Sequence, residues 1–85
     1  MEITRVKVRK YEGEKTKLKG FATVFIDDCF VISDIRILEG TDKMFIAMPS
    51  KKVADGKYID IAHPINTETR AMFEEKILEE YNKLA

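Results

Sequence analysis

Apolar residues recur along this chain with two spacings, every second position up to about residue 62 and every third or fourth after it. In residues 3–11, Val6 and Val8 point one way and Arg5, Lys7 and Arg9 the other, which predicts a half-buried strand with a basic outer row. Glu12, Gly13, Glu14 and Lys15 read as a polar turn. LKGFATVFI at 18–26 is rich in β-branched and aromatic residues and predicts a second strand. Asp27–Asp28 suits a tight hairpin into a third strand, CFVISDIRIL at 29–38. A turn at 39–43 leads to a short fourth strand at 44–48, stopped by Pro49, which has no N–H for a ladder hydrogen bond. Residues 50–56 read as a loop containing an Asp55–Gly56 turn, and 57–62 as a fifth strand. Past Pro64, Asn66 or Thr67 caps a helix that runs to about residue 84. Phe73, Ile77, Tyr81 and Leu84 form its apolar stripe, Ala71 and Leu78 widen it, and Glu74, Glu75, Glu79 and Glu80 lie on the other flank.

The pattern predicts an α+β domain, an antiparallel meander of about five strands followed by one C-terminal helix. Alternation places apolar side chains on both faces of the middle strands. Phe21 and Phe25 oppose Ala22, Val24 and Ile26; Val31, Ile35 and Ile37 oppose Phe30, Ile32 and Leu38; Met44, Ile46 and Met48 oppose Phe45 and Ala47. One helix covers one face only. A homodimer through the sheet is the expectation that follows.

With 85 residues the chain forms a single domain, residues 1–85. A domain of this size buries only about 60–65% of the surface its unfolded chain exposes, a second reason to expect association. One cysteine rules out an internal disulfide and any Cys-x-x-Cys metal site. The chain shows neither a signal-peptide pattern nor an apolar run of membrane-spanning length, so a soluble cytoplasmic protein is expected. Net charge is zero but unevenly spread. Residues 1–57 hold twelve Lys/Arg against nine Asp/Glu, and residues 58–85 hold three against six. A basic face and an acidic face are therefore compatible with this one small domain.

Catalytic chemistry has little support. Cys29 alternates with strand residues and reads as a small buried hydrophobe. His63, the sole histidine, precedes a proline and reads as a corner residue that hydrogen-bonds where strand gives way to helix. Asp60 has no metal-ligand spacing to it, and Asp27 and Asp28 are explained by turn chemistry. No enzyme activity, cofactor, metal or small-molecule substrate is expected. Phosphate binding fares better. Ser50, Lys51 and Lys52 follow a φ-locked proline, Lys57 follows the next turn, and Arg5, Lys7 and Arg9 form a second row. A different possibility is a protein-interaction adaptor that uses the acidic helix face or an open sheet edge.

Four blocks lie in order over nearly the whole chain: MEIT at 1–4, FVISDIRILEG at 30–40, AMPSK at 47–51 and DIAHPIN at 60–66. Together they resemble the SpoVG family, the bacterial septation and sporulation regulators. The resemblance implies a small α+β protein that dimerises through its β-sheet and binds DNA, and in some members RNA, in gene regulation, cell division and sporulation. It also implies nucleic-acid contact by the basic pair after Met-Pro-Ser, here Lys51 and Lys52. Family members commonly carry Lys-Arg-Thr-Pro where this chain has Lys51-Lys52-Val53-Ala54. Lysine in place of arginine lacks the planar fork that grips a guanine or phosphate bidentately, so phosphate contact is expected to survive better than base discrimination. The chain ends at Ala85, and no contribution is expected from the longer tail some relatives carry.

Overall fold

The computed structural model describes residues 1–11 and 17–84; the turn expected at Glu12–Lys15 lies outside them. Strands β1 (Ile3–Lys10), β2 (Leu18–Ile26), β3 (Phe30–Glu39) and β4 (Met44–Ala47) form one antiparallel sheet in chain order. Strands β5 (Ser50–Ala54) and β6 (Lys57–Asp60) pair only with each other, and helix α1 (Thr67–Asn82) packs on one face of the larger sheet. The α+β class and the C-terminal helix are as expected. The meander stops at four strands, because the residues read as a loop are strand β5 and take the last strand as their partner.

The core follows from alternation in β2. Ala22, Val24 and Ile26 are buried beneath α1 with Ile35, Ile37, Ile46, Met48, Phe73 and Ile77. Val6 pairs with Val24 and Val8 with Ala22, so both valines of β1 face the same core. A Cβ at Gly20 would lie 2.7 Å from the Arg9 carbonyl oxygen, so only glycine lets the two strands approach so closely there.

Strict alternation in β3 does not hold. The register passes from Ala22↔Ile35 to Val24↔Ile32, with one extra residue at 33–34 and Asp34 in the left-handed region at φ 60°. This bulge returns Ile32 to the core side beside Ile35 and Ile37. It sends Val31 to the opposite face, across from Phe25, and Phe30 to the core side across from Ile26, so Phe30, Val31 and Ile32 all lie on the faces opposite to those expected.

Asp27 and Asp28 both adopt left-handed φ, 52° and 54°, and Cys29 N–H donates to the Ile26 carbonyl at 3.0 Å. This is the turn whose twist matches a hairpin, and short polar side chains tolerate it. The Asp27 carboxylate accepts from Glu2 N–H at 2.9 Å and the Thr4 hydroxyl from Asp28 N–H at 3.1 Å, which ties the turn to the N-terminus. Cys29 is exposed, contrary to expectation: as the last residue of the turn it precedes the strand and never reaches the core.

Asn66 is the helix cap, its Oδ1 accepting from Thr69 N–H at 2.7 Å. Phe73 and Ile77 are buried, with Met72, Leu78 and Tyr81 packed beside them. Leu84 lies beyond the helix end and is exposed, as is Ala71 on the solvent side.

Candidate nucleic-acid interface

Pro49 ends the edge of the large sheet and starts a hairpin that stands out from the body. Ile61 N–H donates to the Pro49 carbonyl at 2.7 Å and closes its base, while Gly56 at φ 71° turns its tip. Ser50 pairs with Asp60, Lys51 with Ile59, Lys52 with Tyr58 and Ala54 with Lys57. Ser50 is half-buried and everything from Lys51 to Asp60 is exposed. Because successive side chains alternate, Lys51 and Lys52 project from opposite faces of the hairpin, and Lys52 shares the face of Ser50 and Tyr58.

Arg5, Lys7 and Arg9 line the sheet face that α1 leaves uncovered, opposite Phe25, Thr23 and Phe21 in turn. The Arg5 guanidinium lies 5.7 Å and the Lys7 ammonium 5.8 Å from the Phe25 ring centre, and Arg9 lies 5.4 Å from that of Phe21. Rings at this range attract the cations and narrow their motion without neutralising them. Arg36 is directly across β2 from this row, paired with Phe21. Its Nη2 reaches the Ser50 hydroxyl at 3.5 Å and so joins the sheet face to the base of the hairpin.

Arg36 was not among the residues singled out from the sequence, and Phe21 and Phe25 were read there as a second apolar face and not as part of a binding site. Their signal was a polar residue between Ile35 and Ile37, and aromatics out of phase with Ala22, Val24 and Ile26.

Ion pairs engage three of the described cations, and Lys10, Lys17, Lys43 and Lys76 lack a described carboxylate partner as the candidate-site cations do. Among the described residues, Lys19 pairs with Glu39, Arg70 with Glu74, and Lys83 with Glu79 and Glu80. None of Arg5, Lys7, Arg9, Arg36, Lys51, Lys52 or Lys57 has a carboxylate of the described residues within ion-pair range. On α1, by contrast, part of the acidic flank is already answered by Arg70 and Lys83, which weakens it as a surface for a basic partner.

His63 stands at the corner before α1 with Nδ1 3.0 Å from the Pro64 carbonyl, the hydrogen bond expected there. A cleft of about 270 Å³ beside it is lined by apolar residues including Ile26, Phe30 and Phe73, and His63 is its one ionisable side chain. Among the described residues no three metal-ligating side chains converge, and no helix is long and apolar enough to cross a membrane.

The chain matches the family model SpoVG over residues 1–83. It is 56% identical over 81 residues to the SpoVG protein of Phytoplasma australiense, covering 95% of this chain and 83% of that one. It is 49% identical over 84 residues to that of Clostridium perfringens, covering 99% and 92%. With the SpoVG protein of Bdellovibrio bacteriovorus it shares 47% over 83 residues, covering 98% and 75%. Alignment of this extent spans both sheets and the helix, and on it the chain belongs to the SpoVG family of septation proteins.

Proposed function

We propose that this chain is a cytoplasmic, non-enzymatic regulator that binds nucleic acid, DNA or RNA, as a homodimer. The observation that carries the reading is the exposed hairpin whose Lys51, Lys52 and Lys57 have no carboxylate partner among the described residues. Arg36 connects it to a second row, Arg5, Lys7 and Arg9, also without a carboxylate partner among the described residues. Cations that no carboxylate neutralises can replace the counterions of a phosphate backbone.

We place the dimer at the smaller sheet and not at the uncovered face of the large sheet, where the alternation of β2, β3 and β4 predicts it. An isolated two-stranded hairpin is marginal in water, and this one carries exposed Tyr58 and Ile59, followed by Ile61 and Ile65. Tyr58 and Ile59 lie on opposite faces, and a second copy against the Ile59 face removes that side chain from water and supports the hairpin while leaving Lys52 exposed. Packing the two large sheets face to face would instead oppose one Arg5–Lys7–Arg9 row with another, an arrangement like-charge repulsion disfavours.

Binding of duplex DNA measured across a salt series tests the reading. Replacing Lys51 and Lys52 together by Ala should reduce the slope of log K against log salt by roughly 0.9 for each phosphate that is no longer neutralised. An unchanged slope removes the hairpin from the interface, and no binding at low salt rejects the function.

A further inference from the structure

We infer that the uncovered face of the β1–β4 sheet takes single-stranded nucleic acid, stacking unpaired bases on Phe21 and Phe25 while Arg5, Lys7, Arg9 and Arg36 hold the backbone. The inference rests on the nucleic-acid-binding reading above and adds the form of the ligand.

Charge and shape point the same way. Among the described residues the face presents these four cations around the half-buried rings, with Asp34 the acid among them and exposed Val31 and Phe45 beside them, so its field is that of a site for an anion. A second copy, carrying the same charges, is a poor occupant. An acidic protein surface would satisfy the cations but has no flat apolar partner for the rings. A polynucleotide has both, phosphates at every step and a planar π-face on every base.

Duplex DNA hides those base faces in its stack, and the ribbon that could enter a major groove is the hairpin beside this face; among the described residues the face itself carries none. A strand with unpaired bases exposes them. Phe21 and Phe25 are four residues apart on one strand, about 13 Å at the rise of a β-strand, with the Thr23 hydroxyl between them. Each ring already has a cation over it, and an arginine guanidinium is itself a plane on which a base stacks. The Arg36–Ser50 contact then gives the strand a continuous cationic path from the sheet to the hairpin.

The test is fluorescence anisotropy at one near-physiological salt concentration with three probes of about 12 nucleotides, within the range of site sizes known for single-strand binders. They are oligo-dT, an abasic strand of the same length, and a duplex of the same length. Oligo-dT should bind more tightly than the abasic strand by about tenfold or more, since stacking is worth about 1–3 kcal/mol per base. Phe25→Leu keeps an apolar side chain but no ring. It should weaken oligo-dT about fivefold or more while leaving the abasic strand and duplex within about twofold, and Phe21→Leu should repeat the pattern. Circular dichroism melts show whether either variant remains folded.

Equal affinity for oligo-dT and the abasic strand overturns the inference, as does an equal loss on all three probes in a folded variant. In both cases the hairpin reading survives if the duplex still binds. Binding to none of the probes rejects the broader reading, and this inference with it.

Discussion

Asp34 sits in the middle of β3 with a left-handed backbone, φ 60°, a conformation that costs most L-residues about 1–2 kcal/mol. Aspartate tolerates it better than a β-branched residue does. Asp34→Val should therefore lower stability by about 1–2 kcal/mol in urea unfolding, whereas Asp34→Gly should be nearly neutral or stabilising. At the start of α1 the Asn66 side chain is the acceptor for Thr69 N–H. Asn66→Ala should cost about 1 kcal/mol by the same measurement, with the helix content of the folded state kept. These residues differ in how far their roles could be read from type. Asn before a helical period announces a cap, whereas Asp inside an apolar run gives no sign that it bends the strand.

Among the elements, β3 depends most on one extra residue. Ser33 and Asp34 together take the place of one ladder position, and this puts Ile32 on the same side as Ile35 and Ile37. Deleting Ser33 should leave one residue between Ile32 and Ile35, which removes the bulge and keeps Ile32 paired with Val24 on the core side, so the variant should remain folded in a thermal melt. Alternation was a sound guide in β2, where every second residue from Gly20 to Ile26 is buried. It misplaced Phe30, Val31 and Ile32 because the bulge arises from backbone geometry that residue type does not mark. The hairpin was missed as a sheet for a related reason. Ser50–Ala54 carries polar and small residues that resemble a loop, and it becomes a strand only because Lys57–Asp60 pairs with it.

For the whole molecule, the question is which surface meets which partner. α1 covers one side of the four-stranded sheet, and the other side keeps its cations and aromatic rings. If the second copy docks on the hairpins, Ile59→Asp should shift sedimentation equilibrium toward monomer, and Arg5→Ala should leave the association unchanged. An Ile59→Ser variant, which places no charge opposite Lys51, should also lose affinity for duplex DNA, since two linked cationic hairpins bind more tightly than either alone. A dimer unaffected by Ile59→Asp but dissociated by changes on the open sheet face would relocate the contact to that face.

By itself the sequence determined the class of fold, the strand-to-helix change at Pro64, a helix cap at Asn66 or Thr67, and the basic character of β1 and of the residues after Pro49. Each of these follows from spacing or from side-chain chemistry acting over a few residues. Tertiary structure alone decided that residues 50–60 leave the large sheet, that a bulge reassigns the faces of β3, and that Arg36 meets Ser50 to join two basic regions into one track. Those outcomes depend on pairing between distant segments, and the energy that selects them appears only once the chain has closed on itself.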